Sequence, residues 1–221
     1  MTFQFNTVFE YWPMYLEGLR TTIYVTLGSL IFSLILSIPL AMIKITKNKI
    51  LNFIGFLYTD IFRALPSLVQ IYLVYFAAPQ LFGITFTAMT SAFITLSMNA
   101  AAYISEALRG GILSVDIGQR EAAKALGISQ VDTLKDIVLL QALKAVFPSM
   151  INETIGLLKG TSLVSIIGVV DLMRASRQVM ADSYLSFEPL MVAAVIYYIL
   201  VKSMSMIGNR LEKRIRVSEI R

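Results

Sequence analysis

Two charges stand inside a stretch that is otherwise apolar enough to lie in hydrocarbon: Glu153 and Lys159, both within residues 145–170. On insertion scales a charge at the centre of a spanning helix costs about 2.5–3.5 kcal/mol unless it is paired or hydrated. A carboxylate kept there can face a water-filled cavity and contact an ammonium or guanidinium group. The alternatives are a structural pair, or a Lys159 that snorkels to the outer interface. Helical spacing puts Glu153, Gly156 and Gly160 on one stripe and turns Lys159 elsewhere, which disfavours a pair between the two charges. The two glycines suit close helix packing or a helix break. Asn99, Ser67 and Gln70 are uncharged polar groups in apolar surroundings. Each can orient a polar solute, or equally bond to a neighbouring helix.

Much other chemistry is excluded. The 221 residues include no cysteine and no histidine, which removes disulfides, thiolate and imidazole catalysis and His/Cys metal sites. Carboxylates do not cluster at an active-site spacing, and no G-x-x-x-x-G-K-[ST] run is present to cradle a nucleotide. We expect no catalytic residues, no metal and no cofactor in this chain.

The elements that must position these groups follow from composition. Hydrophobic residues make up 57% and charged residues 15%, and the mean hydropathy is +0.72, so the expected solvent is a lipid bilayer. Residues 21–43 are uncharged and long enough to span. Residues 64–105 carry no charge either, and Pro79 and Gly83 near the middle divide them into two helices. Pro39 and Pro66 are expected to kink their helices. Residues 145–170 and 189–208 supply two more, giving five spans, while residues 173–188 read as polar. The opening residues carry Glu10 and Glu17 and lack the basic region and cleavage site of a signal peptide, so Met1 reads as the mature start.

A formal charge of +5 would suggest nucleic acid in a soluble protein, but the cations fall between the apolar runs. Lys44, Lys47 and Lys49, then Arg109, Arg120, Lys124, Lys135 and Lys144, then Arg210, Lys213, Arg214, Arg216 and Arg221 account for 13 of the 19 basic residues. Loop bias of this kind places them on the cytoplasmic side and the N-terminus outside. No nucleic-acid partner is expected.

Residues 108–144 are the most charged internal segment and must lie in water. Ile117–Leu126 reads as a short helix stopped by Gly127, and Ser129 with Asp132 offers a capping start for a second one. Within this loop Glu121, Ala122 and Ala123 are followed by Gly127, then by Ile137 and Leu139. This spacing resembles the EAA loop of bacterial ABC import permeases: EAA, three residues, Gly, nine residues, Ile, any residue, Leu, Pro. Leu140 stands where that pattern has its proline, so a turn after Leu139 is in question. Residues 63–70, 102–112 and 152–163 are similar to the polar amino acid subfamily, with Gly160 in place of an acidic residue often found there.

The resemblance covers nearly the whole chain. It implies an all-α integral membrane protein with five transmembrane helices and a cytoplasmic coupling-helix loop, of the type I ABC importer kind. Residues 1–221 would form one transmembrane permease domain, with the EAA loop at about residues 109–144, in the cytoplasmic membrane of a prokaryote. Implied partners are a second permease subunit, identical or related, two cytoplasmic ATPase subunits holding ATP and Mg, and an external solute-binding protein. Glu121, Ala122, Ala123, Gly127, Ile137 and Leu139 would couple to the ATPase. Glu153, Asn99, Ser67, Gln70, Lys159 and Thr161 would contact a polar, basic amino acid. An ATP-independent carrier or channel built on Glu153 would be expected to show internal inverted repeats, which a five-helix chain cannot divide into.

Overall fold

The chain from Thr21 to Ile43 has no charge, and it folds into a single long helix that runs through Pro39 without a break. In the computed structural model, which describes residues 4–217, a short α1 (Phe5–Glu10) leads into this helix, α2 (Trp12–Ile45). One side of α2 buries Gly18, Thr22, Thr26, Ser29, Ser33, Ser37 and Ala41, a stripe of small residues at helical spacing. Its opposite side exposes Tyr24, Leu27, Ile31, Phe32 and Ile35. The inverted pattern suits a bilayer, where close backbone approach rather than water exclusion drives helix association. The buried hydroxyls of Thr26, Ser33 and Ser37 bond to carbonyls of their own helix, at 2.7, 2.8 and 2.9 Å.

α3 (Lys49–Ala64) begins at Asn48, whose side chain accepts from the backbone N–H groups of Ile50 and Leu51. Sequence reading gave no helix here. At Leu65–Pro66 the chain bends by 106° into α4 (Ser67–Tyr72), which continues through a π-helical turn, residues 73–77, into α5 (Ala78–Phe82). Pro66 therefore separates two helices rather than kinking one. Gly83 adopts φ +66°, and Thr87 caps α6 (Ala88–Ser114). α6 is the centre of the bundle, packed along α2, α3 and α9, and it buries Ala92, Leu96, Ala100, Ile104 and Leu108.

α7 (Ile117–Ala125) is the short helix expected at the EAA tripeptide. After it the sequence suggests a second short helix and then a separate span, and this is corrected. α8 (Gln130–Asp132), a π-helical stretch over residues 133–138 and α9 (Leu139–Val164) form one continuous rod. No turn follows Leu139: the helix continues through Leu140 and on past Pro148 to Val164.

Asp171 caps α10 (Leu172–Ser183), accepting from Arg174 N at 3.0 Å and Met173 N at 3.2 Å. Part of the segment read as polar loop is therefore helix, bent by 48° from the α9 rod. α11 (Phe187–Val217) closes the fold, and only 6% of its most apolar window is buried. Met1 and Arg221 lie outside the described residues.

By length and composition α2 and α11 can each span a bilayer alone, and the bent pairs α3–α5 and α8–α10 raise the number to four. The fifth long helix, α6, has 27 residues, or about 40 Å at 1.5 Å per residue. Its Ala, Ser, Thr and Asn content keeps it out of that apolar class. No strand occurs among the described residues.

Candidate translocation face and coupling loop

The coupling loop is built from local bonds. Asp116 Oδ1 accepts from Gly118 N at 2.6 Å to start α7, and the helix closes on a glycine cap. Gly127, at φ +73°, lets its own N–H reach Lys124 O at 3.1 Å and that of Ile128 reach Ala123 O at 3.0 Å, a Schellman motif. Ser129 Oγ then accepts from Asp132 N and donates to Asp132 Oδ2 at 2.6 Å. Ala123 is buried, so the small residue of the tripeptide seats α7 on the protein while Glu121 and Ala122 face outward. Ile137 and Leu139 are half-buried on the rod beneath it.

Ile117, Leu126 and Val131 are each more than 70% exposed on this otherwise polar loop. Sequence reading pointed to Glu121, Ala122, Ala123, Gly127, Ile137 and Leu139 and missed these three. Their signal was available, as large apolar residues in a segment too charged to be membrane. Arg120 itself turns inward, where Nη2 donates to Ile112 O at 2.7 Å and ties α7 to the end of α6.

On α9, Ser149, Asn152, Gly156 and Lys159 are exposed at spacings of three, four and three, which forms one continuous stripe. Gln141 and Ala145 extend it toward the loop. Lys159, expected to point elsewhere, thus shares a face with Gly156. Glu153 is half-buried beside Asn152 and makes neither ion pair nor hydrogen bond among the described residues. A polar stripe on a spanning helix needs water or protein opposite it, unlike the apolar faces of α2 and α11.

The remaining polar positions are engaged locally. Asn99 Nδ2 donates to Phe62 O and to Gln70 Oε1, both at 3.1 Å. Gln70 Nε2 donates to Phe62 O at 2.9 Å and Leu65 O at 2.8 Å. Together they satisfy carbonyls that the break after α3 would leave unpaired in a low-dielectric setting. Ser67 is half-buried at the start of α4, and the buried Thr161 donates to Leu158 O at 2.7 Å. No hydrogen bond among the described residues joins Glu153, Lys159 or Thr161 to the Asn99–Gln70 pair.

The family described as "Binding-protein-dependent transport system inner membrane component" matches residues 33–217, which takes in both the coupling loop and the α9 face. The chain belongs to this family. It is 43% identical over 202 residues to the putative glutamine transport system permease protein GlnP of Rickettsia bellii, covering 91% of this chain and 93% of that one. To the arginine transport system permease protein ArtQ of Bacillus subtilis it is 39% identical over 219 residues, covering 99% and 100%. A crystal structure of an amino acid ABC transporter with histidines superposes with a TM-score of 0.90 at 32% identity, covering 97% and 100%. The MetNI methionine ABC transporter shares the fold at a TM-score of 0.79 and 19% identity, covering 91% and 96%. The chain is a multi-pass membrane permease with the type I ABC importer architecture.

One cluster of the permease escaped sequence reading. Lys44 is not a loop residue: its side chain is fully buried, and Nζ donates to Thr59 Oγ1, Ser105 Oγ and Glu106 Oε2 at 3.0, 2.9 and 3.0 Å. Glu106 also pairs with Arg109, whose guanidinium lies 5.6 Å from the Phe56 ring centre. A Cβ at Gly55 would stand 2.7 Å from Lys44 Cγ, so the lysine stem passes where that residue has no side chain. The cluster binds α2, α3 and α6 together just before α6 runs into the coupling loop. Lys44 lies three residues beyond Ala41 on the buried stripe of α2, and that register was the available signal.

Proposed function

We infer that this permease forms one wall of a translocation path for a polar, basic amino acid and works as a dimer with a second permease subunit, identical or related. The observation that carries the reading is the α9 stripe, with the unpartnered Glu153 at its edge. It is a polar surface along a spanning helix, in contrast to the apolar exposed face of α2, and a second subunit opposite it would enclose water rather than lipid. The relatives named for glutamine and arginine transport support polar amino acids as the cargo class.

Within that path Glu153 would meet the cationic end of the substrate. An ionised carboxylate in a low-dielectric setting is costly when empty, so an arriving ammonium or guanidinium relieves the cost, while an acidic substrate adds repulsion. Lys159, Asn99, Ser67, Gln70 and Thr161 complete the proposed set of contacts. ATP and Mg would be held by two cytoplasmic ATPase subunits docked on α7, and an external binding protein would deliver the substrate. The loop then lies in the cytoplasm and the N-terminus outside.

Proteoliposomes holding the permease with its ATPase and binding protein would test the reading through uptake of labelled arginine and glutamine. Glu153→Gln keeps size and hydrogen bonding but removes the charge. It should lower arginine uptake on the order of tenfold, about 1.4 kcal/mol, and glutamine uptake far less. Equal loss of both would make Glu153 structural, and unchanged arginine uptake would remove it from the path.

A further inference from the structure

Between the end of α2 and the coupling loop lies a groove of ≈ 520 Å³ that takes Ile117, Arg120, Glu121 and Lys124 of α7 into its lining and that the transport path does not account for. Its floor is apolar, formed by Ile45, Leu134 and Val138, part of a small core between α2, α6 and the π-helical stretch. Around this floor stand Lys47, Arg120 and Lys124 against one carboxylate, Glu121. None of these three cations makes an ion pair among the described residues. Arg120 is held in place by its bond to Ile112 O, yet its Nε is buried with no acceptor. The Arg120 side chain is half-buried at the groove wall with no carboxylate paired to it.

The level of the groove limits what can occupy it. Ile45 is the last residue of spanning helix α2 and Lys47 follows two residues later, so this wall is at the membrane surface. We propose that the groove binds the phosphate headgroup of an anionic phospholipid, with the glycerol and first acyl carbons against Ile45, Leu134 and Val138. Phosphate diester chemistry suits the three cations. A free phosphate ion would use the cations but would leave the apolar floor wet, whereas an amphipathic lipid uses both. Bound there, the lipid clips α7 to the end of α2 through Arg120 and Lys47.

The test is native mass spectrometry of the full-length permease with its copurifying subunits, extracted from bilayers of equal phosphatidylglycerol and phosphatidylcholine. The wild type should retain phosphatidylglycerol preferentially. Lys47→Gln with Lys124→Gln should reduce that retention by about 25-fold, since each surface cation near an anionic headgroup contributes about fivefold. Both lysines are exposed, so the variant is expected to fold. Arg210→Gln with Lys213→Gln, on the far end of α11, should leave retention unchanged. Equal retention of the two lipids, or an unaltered double variant, would overturn the proposal. Displacement of the lipid by millimolar inorganic phosphate would assign the site to a free anion. Lipid found only after removal of an ATPase subunit would assign the groove to that protein.

Discussion

At Lys44 one ammonium meets a threonine, a serine and a glutamate from three positions on two other helices, so its charge is shared rather than merely buried. Replacement by methionine would keep the stem that passes Gly55 but leave the hydroxyls of Thr59 and Ser105 short of a donor, with Glu106 held by Arg109 alone. Breaking a buried pair costs about 3–5 kcal/mol, and because Glu106 retains Arg109 the expected loss is roughly 2 kcal/mol. Thermal unfolding in detergent should show a lower midpoint for Lys44→Met, and an unchanged midpoint would mean that the cluster contributes nothing net. Hydropathy made Glu153 legible in the sequence because a charge stood out in an apolar run. Lys44 was hidden by the same logic: at the edge of a run, a buried cation and a loop cation look alike. Asn99 and Gln70 were legible as polar groups at depth. That they serve the carbonyls of Phe62 and Leu65 depends on a 106° bend between α3 and α4, which only tertiary structure supplies.

Among the elements, α7 and its glycine cap were read almost residue for residue, since capping is local chemistry that a few neighbours dictate. The continuity of α8 with α9 was not, because no periodicity reports whether the capped start at Ser129 opens a short helix or a rod. The cap carries a prediction for coupling. Glu121→Lys with Gly127→Pro reverses an exposed charge, deletes the N–H that bonds Lys124 O and forbids the positive φ. ATP-driven uptake in vesicles should be abolished while membrane insertion and dimer formation persist. Uptake at the normal rate would mean that α7 does not transmit the ATPase stroke. Gly127→Ala is the milder companion, with a backbone penalty of about 1–2 kcal/mol confined to one cap.

Across the whole molecule, charge distribution gives an orientation that single-cysteine labelling can check. Gln130 is exposed and lies beside Ser129, whose hydroxyl is needed for the cap, so Gln130→Cys reports the loop without disturbing it. It should react only with reagents that enter the cell, whereas Asn6→Cys should react from outside. Labelling of Gln130→Cys by an impermeant reagent would invert the assignment. The number of long segments was legible from charge-free runs, but their limits were not. α3 carries Asp60 and Arg63 inside its helix, and α11 extends nine residues past Gly208. Amphipathic faces and helix ends that project beyond the hydrocarbon break the equation of an apolar run with a span.

The composition of α6 also bears on how the protein reaches its membrane. α6, which packs along α2, α3 and α9, lacks the long apolar stretch that lets α2 and α11 span alone, so it is poorly suited to leaving the translocon unaided. α2 and α11 can be released singly as they emerge, while α6 must wait until α2 offers it a surface of matching small residues. In an insertion assay with engineered glycosylation sites, an isolated α6 segment should pass through to the lumen. The same segment preceded by residues 1–87 should be retained. The core helix would then be admitted by the elements that precede it and not by its own hydropathy.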